Sequence, residues 1–163
     1  MKTFNQLPSH SKIWIYQAKE AFSSDLLKDI KVKASQFISQ WTSHNNQMDA
    51  TIEIFNNRFI VLGVDEQTAP ASGCGIDKSV KFFLELEKAL KISLFDRMLV
   101  AYEKNGEVFT CSLADLEKLY NTKQIDDNTI VFNNLVTTKG EFESNWRVPL
   151  KSSWHKTRIT TIA

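Results

Sequence analysis

The sequence has few cysteines, glycines and prolines, and each shortage excludes a class of protein. The two cysteines, Cys74 and Cys111, stand far apart and show no CxxC or Cys/His spacing, which argues against a disulfide framework and a structural zinc site. The 163 residues include only 5 glycines and 3 prolines, with 42% apolar and 24% charged residues, which excludes fibrous and disordered chains. The composition predicts a globular chain with two free thiols.

The chain also lacks a strong net charge and a long apolar run. Twenty basic and 19 acidic residues leave a net charge of +1, so no overall field attracts nucleic acid and we expect no nucleic-acid partner. No stretch approaches the roughly 20 apolar residues of a membrane helix, and residues 1–17 carry no secretory signal pattern. We therefore expect a cytoplasmic protein without membrane insertion, folded as a single domain over residues 1–163.

Apolar periodicity predicts strands and helices over most of the chain. Lys12–Gln17 is a β-rich run, and residues 25–41 have helical spacing behind Ser23 and Ser24, which can cap a helix. Two strand-like runs flank Asn56-Asn57, whose residue type tolerates the left-handed conformation of a tight turn. Another pair flanks Asn105-Gly106, and Asn-Gly is the strongest short-range hairpin signal. The sequence therefore predicts two hairpins.

Two further helices and a last strand complete the pattern. A helix over Val80–Leu90, a short helix after Ser112 and a strand over residues 128–133 are predicted. This order predicts an α+β fold with a mostly antiparallel sheet, a ferredoxin-like (split βαβ) start and a further hairpin, helix and strand. Residues 133–163 have no firm period. We expect them to form an extension packed on the domain, because Trp146 and Trp154 are too apolar to leave in solvent.

The stretch SGCGIDKS, Ser72–Ser79, is the candidate site, and its first interpretation is a phosphate-binding loop. Lys78-Ser79 follow a strand and open a helix, as the last two residues of GxxxxGK[ST] do. The two glycine positions of that motif are Ser72 and Asp77 here. An aspartate beside a triphosphate adds like-charge repulsion, so these residues argue against ATP binding.

The second interpretation of this stretch is a cysteine nucleophile. Cys74 stands just ahead of the predicted helix, where free backbone N–H groups and the positive end of the dipole favour a thiolate. A base would have to come through the fold from His10, His44 or His155, and we take His155 as the first choice. The ordinary alternative is a small residue buried in a tight loop.

The third interpretation is a helix cap that also holds a ligand. Asp77 would cap the helix, the glycines would supply turn dihedrals, and the backbone amides would cradle an anion or small ligand. The predicted ligand-binding residues are Ser72, Gly73, Gly75, Asp77, Lys78 and Ser79. We favour a small-ligand or anion-binding or interaction module, with a ligand or protein partner and no metal or cofactor. The alternative is a cysteine-dependent enzyme with Cys74 and His155 as catalytic residues.

Three other stretches could take part in function. VLGVDE ends in Asp65-Glu66 as a Walker B segment does, although it precedes the Lys-Ser helix, and acidic residues are common where a strand meets solvent. Thr137–Trp146 could form a binding loop with Trp146 as a stacking wall, or a surface turn that Trp146 anchors. His155 could contact phosphate or act as a base, or be an ordinary surface residue.

Nearly the whole chain resembles a family of small bacterial proteins that carries the label ABC transporter ATPase. The likeness rests on the segments LPSHSKIWIYQ, FISQWTSH, NRFIVLGVDE, SGCGIDKSV, LFDRMLVAY, TIVFNNLVTTKGEFESNW and SWHK. The label implies ATP hydrolysis, a Walker A loop, an LSGGQ-type signature and a larger nucleotide-binding domain, and this sequence contains none of these motifs. The resemblance implies no catalytic residues, and it makes ATP hydrolysis the third functional alternative.

Overall fold

The computed structural model describes residues 2–161, so residues 1, 162 and 163 of the expected domain lie outside the described part. The chain divides into two compact units. Unit 1 is Met1–Phe95 with Thr137–Gly140, and unit 2 is Asp96–Val136 with Glu141–Ala163. The stretch 133–163, expected to form one extension, therefore contributes residues to both units.

Unit 1 contains a three-stranded antiparallel sheet and two long helices. The strand order is β1-β5-β4, and a separate two-stranded ribbon pairs β2 with β3. A 3-10 helix at Phe4–Gln6 precedes the first strand. The elements are β1 (Lys12–Gln17), α1 (Ser24–Gln40), β2 (Thr42–Ser43), β3 (Asn46–Gln47), β4 (Asp49–Phe55), β5 (Phe59–Asp65) and α2 (Gly73–Leu90).

The core of unit 1 forms around β5, because all seven of its residues are buried. Its alternate residues Ile60, Leu62 and Val64 join one hydrophobic cluster with apolar residues of α1 and α2. On the opposite face, a Cβ added at Gly63 would lie 2.5 Å from Leu7 Cδ1, so a larger residue there would displace the Leu7 side chain. The predicted turn at Asn56-Asn57 connects β4 to β5, with φ values of 53° and 51°.

Unit 2 contains a four-stranded antiparallel sheet in the order β7-β6-β8-β9. The predicted Asn105-Gly106 turn joins its first two strands, with φ values of 54° and 78°. Ser112 caps the following helix by accepting the Asp115 N–H at 3.1 Å. The elements are β6 (Leu99–Lys104), β7 (Glu107–Ser112), α3 (Leu113–Asn121), β8 (Ile130–Phe132), β9 (Arg147–Pro149) and 3-10 helices at Leu150–Ser152 and Trp154–Arg158. The helix α4 (Lys139–Asn145) begins with two residues of unit 1 and continues in unit 2 from Glu141.

The protein is α+β with mostly antiparallel sheets, as the sequence predicts. In unit 1, β1 and β4 run parallel on opposite sides of β5, and α1 lies between them in the chain. A complete ferredoxin-like pattern also needs a strand beside β1 after α2. A single bridge from Lys12 to Thr138 is recorded at that edge, whereas β6 belongs to the sheet of unit 2. The ferredoxin-like description therefore stays a prediction.

Candidate functional site

The stretch Ser72–Ser79 forms the start of α2, and the helix begins earlier than predicted. Ser72 is the N-cap, and its hydroxyl oxygen accepts the Gly75 N–H at 3.3 Å. The predicted Asp77 cap is wrong, because Asp77 lies inside the helix. The predicted turn role of Gly73 and Gly75 is also wrong: both are helical, and Gly106 is the only glycine with a positive φ among residues 2–161.

The β2–β3 ribbon packs against the first turn of α2. The Ser43 and Ser72 hydroxyl groups are hydrogen-bonded to each other, and the Trp41 indole N–H donates to the Gly75 carbonyl at 2.9 Å. A Cβ added at Gly75 would lie 3.2 Å from Ser43 Cβ, so glycine permits this close packing. The Lys78 ammonium donates to the Thr42 carbonyl at 3.0 Å. Contacts from Trp41 and from the β2–β3 ribbon therefore hold the start of α2 in place.

The six predicted ligand-binding residues differ in their access to solvent. Gly73, Asp77 and Lys78 are exposed and Ser72 is partly exposed. Gly75 and Ser79 are buried, and the Ser79 hydroxyl donates to the Ile76 carbonyl at 2.7 Å. The exposed side chains of this stretch are therefore those of Cys74, Asp77 and Lys78.

The structural context expected for a phosphate loop is not formed. Because α2 begins at Gly73, Lys78-Ser79 lie in its second turn and do not open the helix. In the phosphate-loop motif the lysine and hydroxyl residues stand where the loop meets the helix. The prediction that Lys78-Ser79 open the helix is therefore wrong.

Cys74 is the second residue of α2, and its side chain is exposed. The interpretation of Cys74 as a residue buried in a tight loop is therefore wrong. Within residues 2–161, its sulfur forms no hydrogen bond or ion pair. Cys74 belongs to unit 1 and His155 to unit 2, so a catalytic pair of these residues stays a prediction.

His155 is a buried residue of unit 2, with a relative exposure of 2%, so the surface interpretation of His155 is wrong. Its Nδ1 is hydrogen-bonded to the Ser153 hydroxyl at 2.7 Å, and its ring stacks on Trp154 with centroids 3.9 Å apart. Burial lowers the pKa of His155 from 6.5 to about 4. The imidazole is therefore neutral at pH 7, and its buried position removes it from direct contact with solvent.

Asp65 and Glu66, the residues of the Walker B-like segment, are engaged within unit 1. The Asp65 carboxylate accepts the Gln67 N–H at 3.1 Å and lies 3.4 Å from His10 Nε2. The Gln67 hydrogen bond is the first cause that holds the pKa of Asp65 below its usual value, and His10 adds to it. Glu66 accepts the Ala71 N–H at 2.9 Å. Through these hydrogen bonds both carboxylates stabilise the segment that leads to α2.

Trp146 is buried in unit 2, with a relative exposure of 4%. One face of its ring stacks on Phe142 at a centroid distance of 4.3 Å, and its Nε1 donates to the Asn134 side chain at 2.9 Å. The expectation that Trp146 forms the stacking wall of a binding loop is wrong, because Phe142 occupies that face. Its packing instead anchors the α4 segment.

A groove of about 390 Å³ between α1 and β4 was not predicted from the sequence. Its lining includes Leu27 and Ile30 of α1 and Ile52 and Ile54 of β4. The sequence predicts both elements, α1 from its apolar spacing and β4 as a strand-like run, but it does not predict the groove. Periodicity indicates which face of an element is apolar, but not where two apolar faces leave space between them.

The described residues show neither a metal centre nor a membrane helix. Within residues 2–161, no group of three or more His, Cys, Asp or Glu side chains is placed to hold a metal ion. In the same range no helix combines the length and the hydropathy needed to cross a membrane.

Comparison of the chain with protein-family models, curated proteins and solved structures finds no match. The resemblance to the ABC transporter ATPase family therefore stays a prediction.

Proposed function

We propose that this protein is a binding module in which the start of α2 holds a small anion. The observation that supports the proposal is an exposed first turn without an acidic side chain, at Gly73 and Cys74. The first N–H groups of a helix have no partner within it, and an α-helix carries about half a positive charge at this end. Inorganic phosphate is the simplest probe of such a site.

Two charged side chains of α2 should act on this anion in opposite directions. Lys78 lies four residues after Cys74 on the same helix face, and its contact with Thr42 places the ammonium beside β2. Asp77 is exposed and lies four residues after Gly73. We therefore expect Lys78 to strengthen anion binding and Asp77 to weaken it.

Trp41 offers a direct measurement, because its indole N–H donates to the carbonyl of Gly75 in this turn. Phosphate titration should shift the Trp41 indole N–H resonance in the NMR spectrum. Lys78→Ala should raise the dissociation constant for phosphate about two- to fivefold, since one charge at a helix end contributes about 0.3–1 kcal/mol. Asp77→Asn should lower this dissociation constant.

Lys81→Ala is the matched control. Lys81 is exposed on the same helix and lies 3.9 Å from the Glu85 carboxylate, so its removal changes the charge equally but further from the first turn. Phosphate binding that Lys81→Ala weakens as much as Lys78→Ala would indicate general charge attraction and contradict the site. A Trp41 resonance unmoved by phosphate would contradict it as well.

A cysteine-dependent enzyme is the second candidate, and the exposure of Cys74 favours it. The rate of Cys74 alkylation against pH, measured in a Cys111→Ser background, separates the two candidates. The enzyme predicts alkylation at neutral pH much faster than in the denatured chain, because a nucleophile must be available as thiolate. The binding module predicts only the small acceleration that the helix dipole alone provides, and slower alkylation when phosphate is bound.

ATP hydrolysis remains the least favoured candidate, and the resemblance alone suggests it. Magnesium-dependent ATP turnover that is lost in Lys78→Ala would support it. A cytoplasmic location also belongs to the proposal, and cell fractionation tests that location.

A further inference from the structure

The groove between α1 and β4 runs along an edge of the unit 1 sheet. The strand order β1-β5-β4 places β4 at the end of this sheet. The side chains of Ile52 and Ile54 pack against the hydrophobic cluster that includes α1 and α2, so the side chain of Glu53 points to the opposite face. All three residues line the groove. The groove therefore includes the edge of the strand between its two faces.

The hydrogen bonds of β1 determine which backbone groups of β4 point out of this edge. The Ile13 N–H donates at 2.9 Å to a carbonyl on the outer side of β1, so Ile13 and its partner Gly63 turn their backbone groups away from each other. Gly63 therefore turns toward β4, where its partner is Thr51. Successive residues of an antiparallel strand bond to alternate sides. Ile52 and Ile54 consequently present their N–H and C=O groups to the groove.

These outward groups of β4 have no strand beside them. Among residues 2–161, neither Ile52 nor Ile54 forms a backbone hydrogen bond outside the sheet, and both residues are partly exposed. The other edge of the sheet differs, because Lys12 of β1 forms a bridge to Thr138. A row of unpaired N–H and C=O groups at a sheet edge is a template for a further strand.

Apolar side chains of α1 form the wall that faces this edge. One face of the helix supplies Leu27, Ile30, Ala34 and Ile38 to the groove of about 390 Å³. A strand laid beside β4 would place every second side chain against this wall, because successive side chains of a strand point to opposite faces. Strand addition to an exposed edge is a recurring mode of peptide recognition.

Glu53 indicates which residue should stand between two apolar residues of such a strand. Its side chain is exposed, and it forms no ion pair within residues 2–161. Opposite charges directly across two strands attract each other. The lining also contains Lys31, but this residue lies on α1, on the helix side of the sheet. A basic residue opposite Glu53 therefore complements the edge.

A second copy of β4 fits this edge less well. Antiparallel pairing of Ile52 with Ile54 of the copy would place the two Glu53 side chains directly opposite each other, and like charges there are destabilising. Pairing Ile52 with Ile52 of the copy would need the edge at Ala50, which has a relative exposure of 4%. Both observations favour a strand from another protein.

We infer that the groove between α1 and β4 receives an extended segment of another protein, in which a lysine or arginine stands between two apolar residues. The two apolar residues pair with Ile52 and Ile54 and pack on α1, and the basic side chain contacts Glu53. This surface is independent of the anion site proposed at the start of α2, because no residue of the groove lining belongs to α2.

The test uses the full-length ¹⁵N-labelled protein and the peptide acetyl-Thr-Val-Lys-Val-Thr-amide. The peptide should shift the backbone N–H resonances of Ile52 and Ile54 in a saturable way. Hydrogen exchange at both groups should slow, because each N–H gains an acceptor. The same peptide N-methylated at both valines is the matched control, since it keeps the side chains and the charge but loses two donors. It should bind about tenfold more weakly or less.

Glu53→Lys tests the charge of the groove. The unmodified protein should bind the lysine peptide about two- to fivefold more tightly than the same peptide with glutamate in place of lysine, and Glu53→Lys should reverse this preference. Asp29→Lys makes the same change of charge on α1, at an exposed residue outside the groove lining. This variant should keep the preference of the unmodified protein.

Four results would overturn the inference. One is a set of Ile52 and Ile54 resonances unmoved by peptide up to about 10 mM, tenfold above a dissociation constant of about 1 mM. Equal binding of the N-methylated peptide would indicate apolar attachment without strand addition. Reversal of the charge preference by Asp29→Lys would indicate general charge attraction. A dimer in sedimentation of the protein alone, with slow exchange at both N–H groups, would assign the edge to a second copy.

Discussion

The two sheets of this protein bury their strands to different extents. All seven residues of β5, the central strand of unit 1, are buried. No residue of β7, an edge strand in unit 2, is fully buried, and Phe109 in its middle is 40% exposed. A strand that is covered on both faces consists mostly of consecutive apolar residues, because both of its faces are buried. An edge strand contains polar as well as apolar residues, because part of it faces solvent.

Charged side chains form contacts in unit 2, as they do at Asp65 and Glu66 in unit 1. The Arg147 guanidinium forms two hydrogen bonds to Glu103, of 2.7 and 2.6 Å. The Lys156 ammonium contacts both Asp127 and the Tyr120 hydroxyl. We therefore expect mutations in the core of unit 1 to act mainly through apolar burial, whereas unit 2 contains the buried, titratable His155.

The largest expected effect follows from apolar burial in unit 1. Phe83 has a relative exposure of 0%, and its ring stacks on Tyr16 at 3.7 Å. We expect Phe83→Ala to lower the free energy of unfolding by about 3–5 kcal/mol, because it leaves a cavity that the packed core fills only in part. Urea unfolding measures this change.

Phe109→Ala is the matched variant in unit 2. Phe109 also stacks on a tyrosine, Tyr102, at 5.8 Å, but its ring is partly exposed. The loss should be about 1 kcal/mol, which combines one aromatic pair with partial burial. Equal losses in the two variants would contradict the contrast between the sheets.

The second effect tests titration in unit 2 through His155. Its pKa is about 4 in the folded protein and 6.5 without burial, so the unfolded chain binds more protons between these pH values. The free energy of unfolding should therefore fall as the pH drops from about 6.5 to 4, by about 3 kcal/mol in total. Above pH 6.5 His155 is neutral in both the folded and the unfolded chain, so its full contribution to the free energy of unfolding is present there.

His155→Gln isolates this effect, because the amide does not titrate and can keep a hydrogen bond to Ser153. Urea unfolding at pH 7 and at pH 4.5 should show a smaller loss of stability in the variant than in the unmodified protein. Carboxylates titrate in both proteins, so the difference between them reports His155. Identical losses of stability in the two proteins would mean that protonation of His155 does not destabilise the folded protein.

The elements best predicted from the sequence have local causes. Asn56-Asn57 and Asn105-Gly106 determine their turns through backbone conformation, and Ser112 determines a helix start through its own side chain. The start of α2 was predicted too late, because the two glycines of its first turn have low helix propensity and conceal Ser72 as the cap.

Features that depend on distant residues could not be predicted in this way. His155 is buried because residues after β9 fold back onto unit 2, and its own neighbours in sequence are polar or basic apart from Trp154. The exposed surface of α2 depends on the ribbon at Thr42–Gln47, which periodicity does not reveal. The sequence did identify the stretch that forms the start of α2, but not which of its residues are accessible.

The smallest expected effect compares the two glycines at the start of α2. Gly73 has nothing within 4 Å of an added Cβ, so Gly73→Ala should stabilise the protein by up to about 1 kcal/mol through helix propensity. At Gly75 the same Cβ would lie 3.2 Å from Ser43 Cβ. The contact opposes the gain, and we expect Gly75→Ala to be less stable than Gly73→Ala. Thermal unfolding of the two variants measures the difference, and a more stable Gly75→Ala would show that Ser43 and its ribbon move aside freely.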